Sequence, residues 1–214
     1  MASFKPNYSD TTKTTEVAKW NERRRLAAAI RRVTECLVPR ELPEEVLRRL
    51  ADDFERTADE IVSHPRLRYA KGDAESTKAG NVAAYFDQSP FIGLSNPVAP
   101  PISIRQSGEK TAVAEVEFGD AYEGTPKTVH GGFVAATFDE LLGYVQSLSG
   151  HLGVTARFEM KCLKPTPTNT PLLFEAECLK KDGRKIFTRG QARAGDVITA
   201  EAEALFIAID IDRR

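Results

Sequence analysis

Two carboxylates stand where burying a charge is costly. Between Gly132 and Val145 the chain reads GFVAATFDELLGYV, a helical segment apolar nearly all round and therefore buried. Asp139 and Glu140 interrupt it, and an unpaired carboxylate in such surroundings costs several kcal/mol, of order ~5. A chain that keeps an acid there either exposes it at an interface or uses it. Consecutive helical positions point about 100° apart, so at most one of the two enters a given pocket. Just upstream lies His130-Gly131-Gly132. The two glycines let a ligand approach the backbone closely, and free N–H groups in a first helical turn carry the positive end of the dipole. Such a mouth suits a carbonyl oxygen that becomes negative during attack. His130 and Asp139 are separated by roughly 13 Å along one helix at about 1.5 Å per residue. A carbonyl held at Gly131 therefore cannot also touch Asp139 of the same chain. If both act on one substrate, the acid comes from a second subunit, which implies a two-fold dimer with two equivalent sites.

The elements around this segment divide the chain in two. Residues 1–14 are rich in Ser, Thr, Lys and Asp and are expected to be a disordered tail. Leu26, Ile30, Val33 and Leu37 recur at helical spacing, and Pro39 ends that run. Pro43-Glu44-Glu45 starts a second helix with the stripe Leu47, Leu50, Phe54, Ala58 and Ile61, closed by Pro65. Residues 15–65 are expected to be a helical hairpin, and 66–94 a linker and packing segment. From 95 to 214 the rhythm changes. Ile102–Gln106 and Thr111–Phe118 alternate about a turn at Ser107-Gly108-Glu109. A helix is expected over Phe133–Leu148, then strands over Val154–Leu163, Leu172–Leu179, Lys185–Ala194 and Val197–Ile209. Asp182-Gly183 and Gly195-Asp196 mark turns. One helix followed by antiparallel strands predicts an α+β domain with the sheet wrapped around the helix.

Composition narrows the partners. With 30 basic and 31 acidic residues the net charge is −1, which favours neither nucleic acid nor an anionic membrane. The arginine runs at 23–25 and 31–32 sit in a region whose basic and acidic residues balance, unlike a DNA-reading module. Cys36, Cys162 and Cys178 show no metal-ligand spacing, so a zinc site and a disulfide framework are not expected. The polar start has no secretory pattern, and no run is apolar enough to span a membrane. A cytoplasmic location is the expectation.

Thr128-Val-His-Gly-Gly-Phe-Val-Ala-Ala-Thr-Phe-Asp139 resembles the His-Gly-Gly-x6-Asp signature of hotdog-fold acyl-CoA thioesterases. This group includes the phenylacetate-pathway thioesterases and the human thioesterase superfamily members. Val154–Pro167 resembles the strand that follows the helix in that family, and Asn96-Pro97 through Pro100-Pro101 resembles its lead-in. The resemblance implies a hotdog fold with an N-terminal helical extension. It further implies a homodimer, with a homotetramer of paired dimers as the other option, and hydrolysis of an acyl-CoA to free acid and CoA without metal or prosthetic group. By position it assigns Gly131, aided by Gly132, to the oxyanion hole. Asp139 of the partner becomes general base or nucleophile. Thr155 positions the carboxylate or water, and His130 shapes the loop. Lys164 is a candidate contact to a CoA phosphate. Where some members carry Asn or Gln six residues before the histidine, this chain has Gly124. A non-catalytic acyl-CoA-binding sensor is the competing reading. A hydratase is disfavoured, because no histidine follows an aspartate at Asp-x4-His spacing in this domain.

Overall fold

The computed structural model describes residues 14–66, 87–151 and 153–209. The expected tail, apart from Thr14, and linker residues 67–86 lie outside the described residues. Two helices come first, α1 (Thr14–Leu37) and α2 (Glu44–Ser63). Then follow β1 (Ser103–Gln106), β2 (Thr111–Glu117), a 3-10 turn (Asp120–Tyr122), α3 (Gly131–Ser147), β3 (Gly153–Cys162), β4 (Pro171–Asp182), β5 (Lys185–Ala194) and β6 (Val197–Ala208). All six strands form one antiparallel sheet in the order β1-β2-β4-β5-β6-β3. The β4–β5 and β5–β6 connections are two-residue turns in which Gly183 and Gly195 take φ of 56°. Side chains pay a steric cost in that region, so these turns favour glycine.

The core lies between the sheet and α3. Phe138, Leu141, Leu142 and Val145 are fully buried against Phe174, Ile186 and Phe206, and the Phe138 and Phe174 rings meet edge-on at 5.0 Å. Small residues on the strands let the helix settle: Ala200, Ala202 and Ala204 on β6, and Gly190 on β5. A Cβ at Gly190 would stand 2.8 Å from the Glu175 carbonyl oxygen and 3.3 Å from Phe138. Gly190 thus faces α3, and by strand alternation Arg189 and Gln191 face away. That far face carries a charge ladder of Arg105–Glu115, Arg189–Glu177 and Arg193–Glu175 pairs.

Both expected N-terminal helices are present, but they do not pack on each other as a hairpin. The α1 helix lies against the lead-in segment through its charged face. Arg24 pairs with buried Asp87 at 2.8 Å, Arg31 donates to the Asn96 carbonyl at 2.8 Å, and Ala27 is buried. The α2 helix carries no buried residue. The described part of the lead-in packs on the core, with Ala99 buried and Ile92 against the core cluster, and Ile102 just after it is buried too. Among the described residues, no helix is long and apolar enough to cross a membrane.

Candidate active site

The helix begins two residues earlier than its apolar pattern indicates, at Gly131, because His130 caps it. The His130 Nδ1 accepts from the Gly132 N–H at 3.0 Å, so the neutral ring carries its proton on Nε2. The next amide, of Phe133, returns to the His130 carbonyl at 2.9 Å. Gly131 is different. Its N–H meets no acceptor among the described residues, the residue is exposed, and a Cβ there would meet nothing within 4 Å. Packing within the protomer does not require glycine at 131. The mouth therefore offers one free amide, with the second committed to the cap.

The loop before the helix is held from both sides. His130 N–H donates to the Tyr122 carbonyl at 2.9 Å, and Val129 N–H to the Thr166 carbonyl at 2.8 Å. The second bond brings the 164–168 loop beside the helix mouth and leaves Lys164 exposed on it, two residues from Thr166. A Cβ on Gly124 would lie 2.9 Å from the His130 Cα and 3.2 Å from its ring. No side chain fits at Gly124 without moving the histidine.

Asp139 and Glu140 part company as their angular separation requires. Asp139 is exposed, although Phe138 and Leu141 beside it are fully buried. The Thr155 hydroxyl donates to Asp139 Oδ1 at 3.3 Å. Thr155 reaches it from β3, whose pairing with β6 slips between Thr155 and Arg157. The extra residue, Ala156, makes a bulge, a device that re-aims neighbouring side chains. Glu140 is half-buried and accepts from the Ser89 hydroxyl at 3.3 Å. Desolvation pushes its carboxyl above the usual range, with the Ser89 bond opposing and the Asp139 charge adding.

Sequence reasoning passed over Gly143. At helical spacing Gly132, Ala136, Asp139 and Gly143 form one stripe, and a Cβ at Gly143 would also meet nothing within 4 Å. Glycine inside a helix costs about 1 kcal/mol relative to alanine, a cost without compensation in the isolated protomer. Beside the stripe runs β3, an edge strand with most of its side chains exposed. The available signal was the spacing of small residues about Asp139. The bulge and the Ser89 contact left no trace in the pattern. Among the described residues, no cluster of His, Cys, Asp and Glu is arranged to hold a metal. A surface cleft lies elsewhere, over the charge ladder of Glu175, Glu177, Arg189 and Arg193.

This architecture, one long buried helix against a six-stranded antiparallel sheet, defines a hotdog fold. No family model matches the chain. The chain is 29% identical over 114 residues to acyl-coenzyme A thioesterase THEM4 of Bos taurus, spanning 52% of this chain and 47% of that protein. It is 32% identical over 102 residues to the THEM4 of Xenopus laevis, spanning 46% of each. The chain thus spans about half the length of the curated relatives it matches. The crystal structure of RHA08564, a thioesterase superfamily protein, superposes with a TM-score of 0.77 at 28% identity, covering 86% of this chain and 94% of that one. That span is longer than residues 87–214 can supply, so part of the N-terminal helical region belongs to the shared architecture. In fold the chain is a hotdog protein, and over about half of its length its sequence is similar to acyl-CoA thioesterases.

Proposed function

We propose that two copies of the chain pair through β3 and the Gly132–Ala136–Asp139–Gly143 stripe, and that each of the two resulting sites hydrolyses an acyl-CoA thioester. The substrate carbonyl oxygen accepts from the Gly131 N–H of one protomer. Asp139 of the other protomer, held by its own Thr155, acts on the opposite side of the carbonyl carbon. As general base it takes a proton from water while the water oxygen bonds to that carbon. Negative charge collects on the carbonyl oxygen at the helix mouth. The C–S bond then breaks, and the thiolate leaves as coenzyme A after taking up a proton. The same placement serves direct attack by the carboxylate, giving an anhydride that water opens. Single-turnover hydrolysis in 18O-water identifies the second route when water opens the anhydride at the Asp139 carbon, because only then does label enter Asp139. Coenzyme A lies along the dimer surface, with Lys164 near its phosphates and the acyl chain beside α3.

One observation carries the reading. An exposed carboxylate stands between fully buried residues of the core helix and is hydrogen-bonded to a threonine of the edge strand β3. A long open edge is a surface that proteins cover or pair, and pairing it brings a second helix mouth toward Asp139. The test is thiol release from short, medium, long and aromatic acyl-CoAs by the wild type and Asp139→Asn, with mass measured by light scattering. Turnover in the variant is expected to fall at least ~100-fold with the dimer intact. An unchanged rate removes Asp139 from the mechanism. Binding of acyl-CoA without thiol release by the wild type reassigns the protein as a sensor.

A further inference from the structure

The N-terminal helices carry apolar surface that no other described element covers. Around α1 the residues that touch the rest of the chain, Arg24, Ala27, Arg31 and Glu35, form one face. The stripe Leu26, Ile30, Val33 and Leu37 is centred about 130° away from it at 100° per residue. It is accordingly exposed, Leu26 by 50% and Leu37 by 46%. Along α2 the stripe Leu47, Phe54 and Ile61 is 45%, 47% and 54% exposed. The two stripes belong to consecutive helices and yet do not cover each other. In proteins most helical stability comes from packing an apolar face rather than from propensity. Among the described residues nothing covers them, which leaves both stripes open to a partner.

Charge indicates what does. The α1 helix holds six basic and three acidic residues, whereas α2 holds three basic and seven acidic. Two α1 helices, or two α2 helices, would meet with like charge. An α1 and an α2 meet with opposite charge, flanking two apolar stripes of matching period. We infer that in the dimer the α2 of each protomer docks on the α1 of the other, Leu47, Leu50, Phe54 and Ile61 against Leu26, Ile30, Val33 and Leu37. This reciprocal exchange of arms is closed by the same two-fold axis. It rests on the pairing proposed above and continues that interface, because α1 also reaches the loop before the helix mouth. There Glu35 receives the Ala121 N–H at 3.5 Å, and the adjoining Tyr122 carbonyl receives the His130 N–H. The arms would thus tie the two catalytic mouths to one another.

The exchange makes a prediction that no packing within one chain shares. Phe54→Asp breaks the α2 side of both crossings in its homodimer, and Val33→Asp breaks the α1 side of both. Mixing the two variants yields a heterodimer in which one crossing joins two wild-type stripes. Sedimentation equilibrium of the full-length chains measures all three. Each single variant is expected to raise the dimer dissociation constant at least tenfold, and the mixture to form heterodimers at least tenfold tighter than either homodimer. Both substitutions fall on exposed positions, and circular dichroism checks that the fold is retained. A wild-type dimer that neither variant weakens overturns the exchange and leaves the β3 pairing standing. Weakening without recovery on mixing also overturns it, since the stripes would then be acting within one chain. A monomeric wild type removes the pairing itself, and this inference with it.

Discussion

His130 holds the mouth of α3 by accepting the Gly132 amide and leaving the Gly131 amide open. That it stands in the stretch leading into the helix was legible in its place before two glycines. That its ring would consume the Gly132 N–H was not, because the choice depends on a rotamer that the sequence does not record. Glu140 gives this scale a pH signature. Its folded-state carboxyl is pushed up by burial, so as pH rises the unfolded chain loses this proton first. The unfolded state then binds fewer protons than the folded one, and stability falls with pH across the window between the ordinary glutamate value and the raised one. Glu140→Gln keeps an acceptor for Ser89 and removes the proton. Urea denaturation of the variant is expected to show a smaller loss of stability from acidic to neutral pH than the wild type. Identical pH slopes would mean that Glu140 ionises in the folded chain as it does in the unfolded one.

At the level of elements, alternation located the strands, and the runs of β5 and β6 were legible nearly to the residue. Alternation fixes which way a side chain points, not which strand lies beside it. The place of β3 at the edge next to β6 therefore could not be read, nor could the bulge at Ala156 that accompanies the Thr155–Asp139 contact. The reading of α1 shows the converse. Its apolar stripe marked a helix correctly, but the face that packs within the chain is the one carrying Arg24, Arg31 and Glu35. Ion pairing and backbone carbonyls anchor that face, and neither has a periodic signature. Contact between helix and sheet gives a sharper test. Gly190→Val places a Cβ 2.8 Å from a backbone oxygen with Phe138 close behind. Overpacking of this kind costs about 1–3 kcal/mol, and a corresponding drop in the urea midpoint is the expected result.

For the whole molecule, the proposed site exists only where two chains meet, so activity should follow assembly. Specific activity is expected to decline on dilution through the dimer dissociation constant, with the midpoint matching that from sedimentation. A rate per chain that stays constant well below that concentration would place a complete site within one protomer. The connectivity of the sheet has a further bearing on how such a site comes into being. The β3 strand pairs with β6, and between them in the chain lie β4 and β5, which form a local meander with β6. Non-local pairing of this kind is late and slow compared with adjacent hairpins. On a ribosome, Thr155 would emerge well before the strand that sets its register, and Asp139 before both. The nascent chain would hold its dimer edge unformed until translation had passed β6, which delays recognition between copies until each has nearly finished folding.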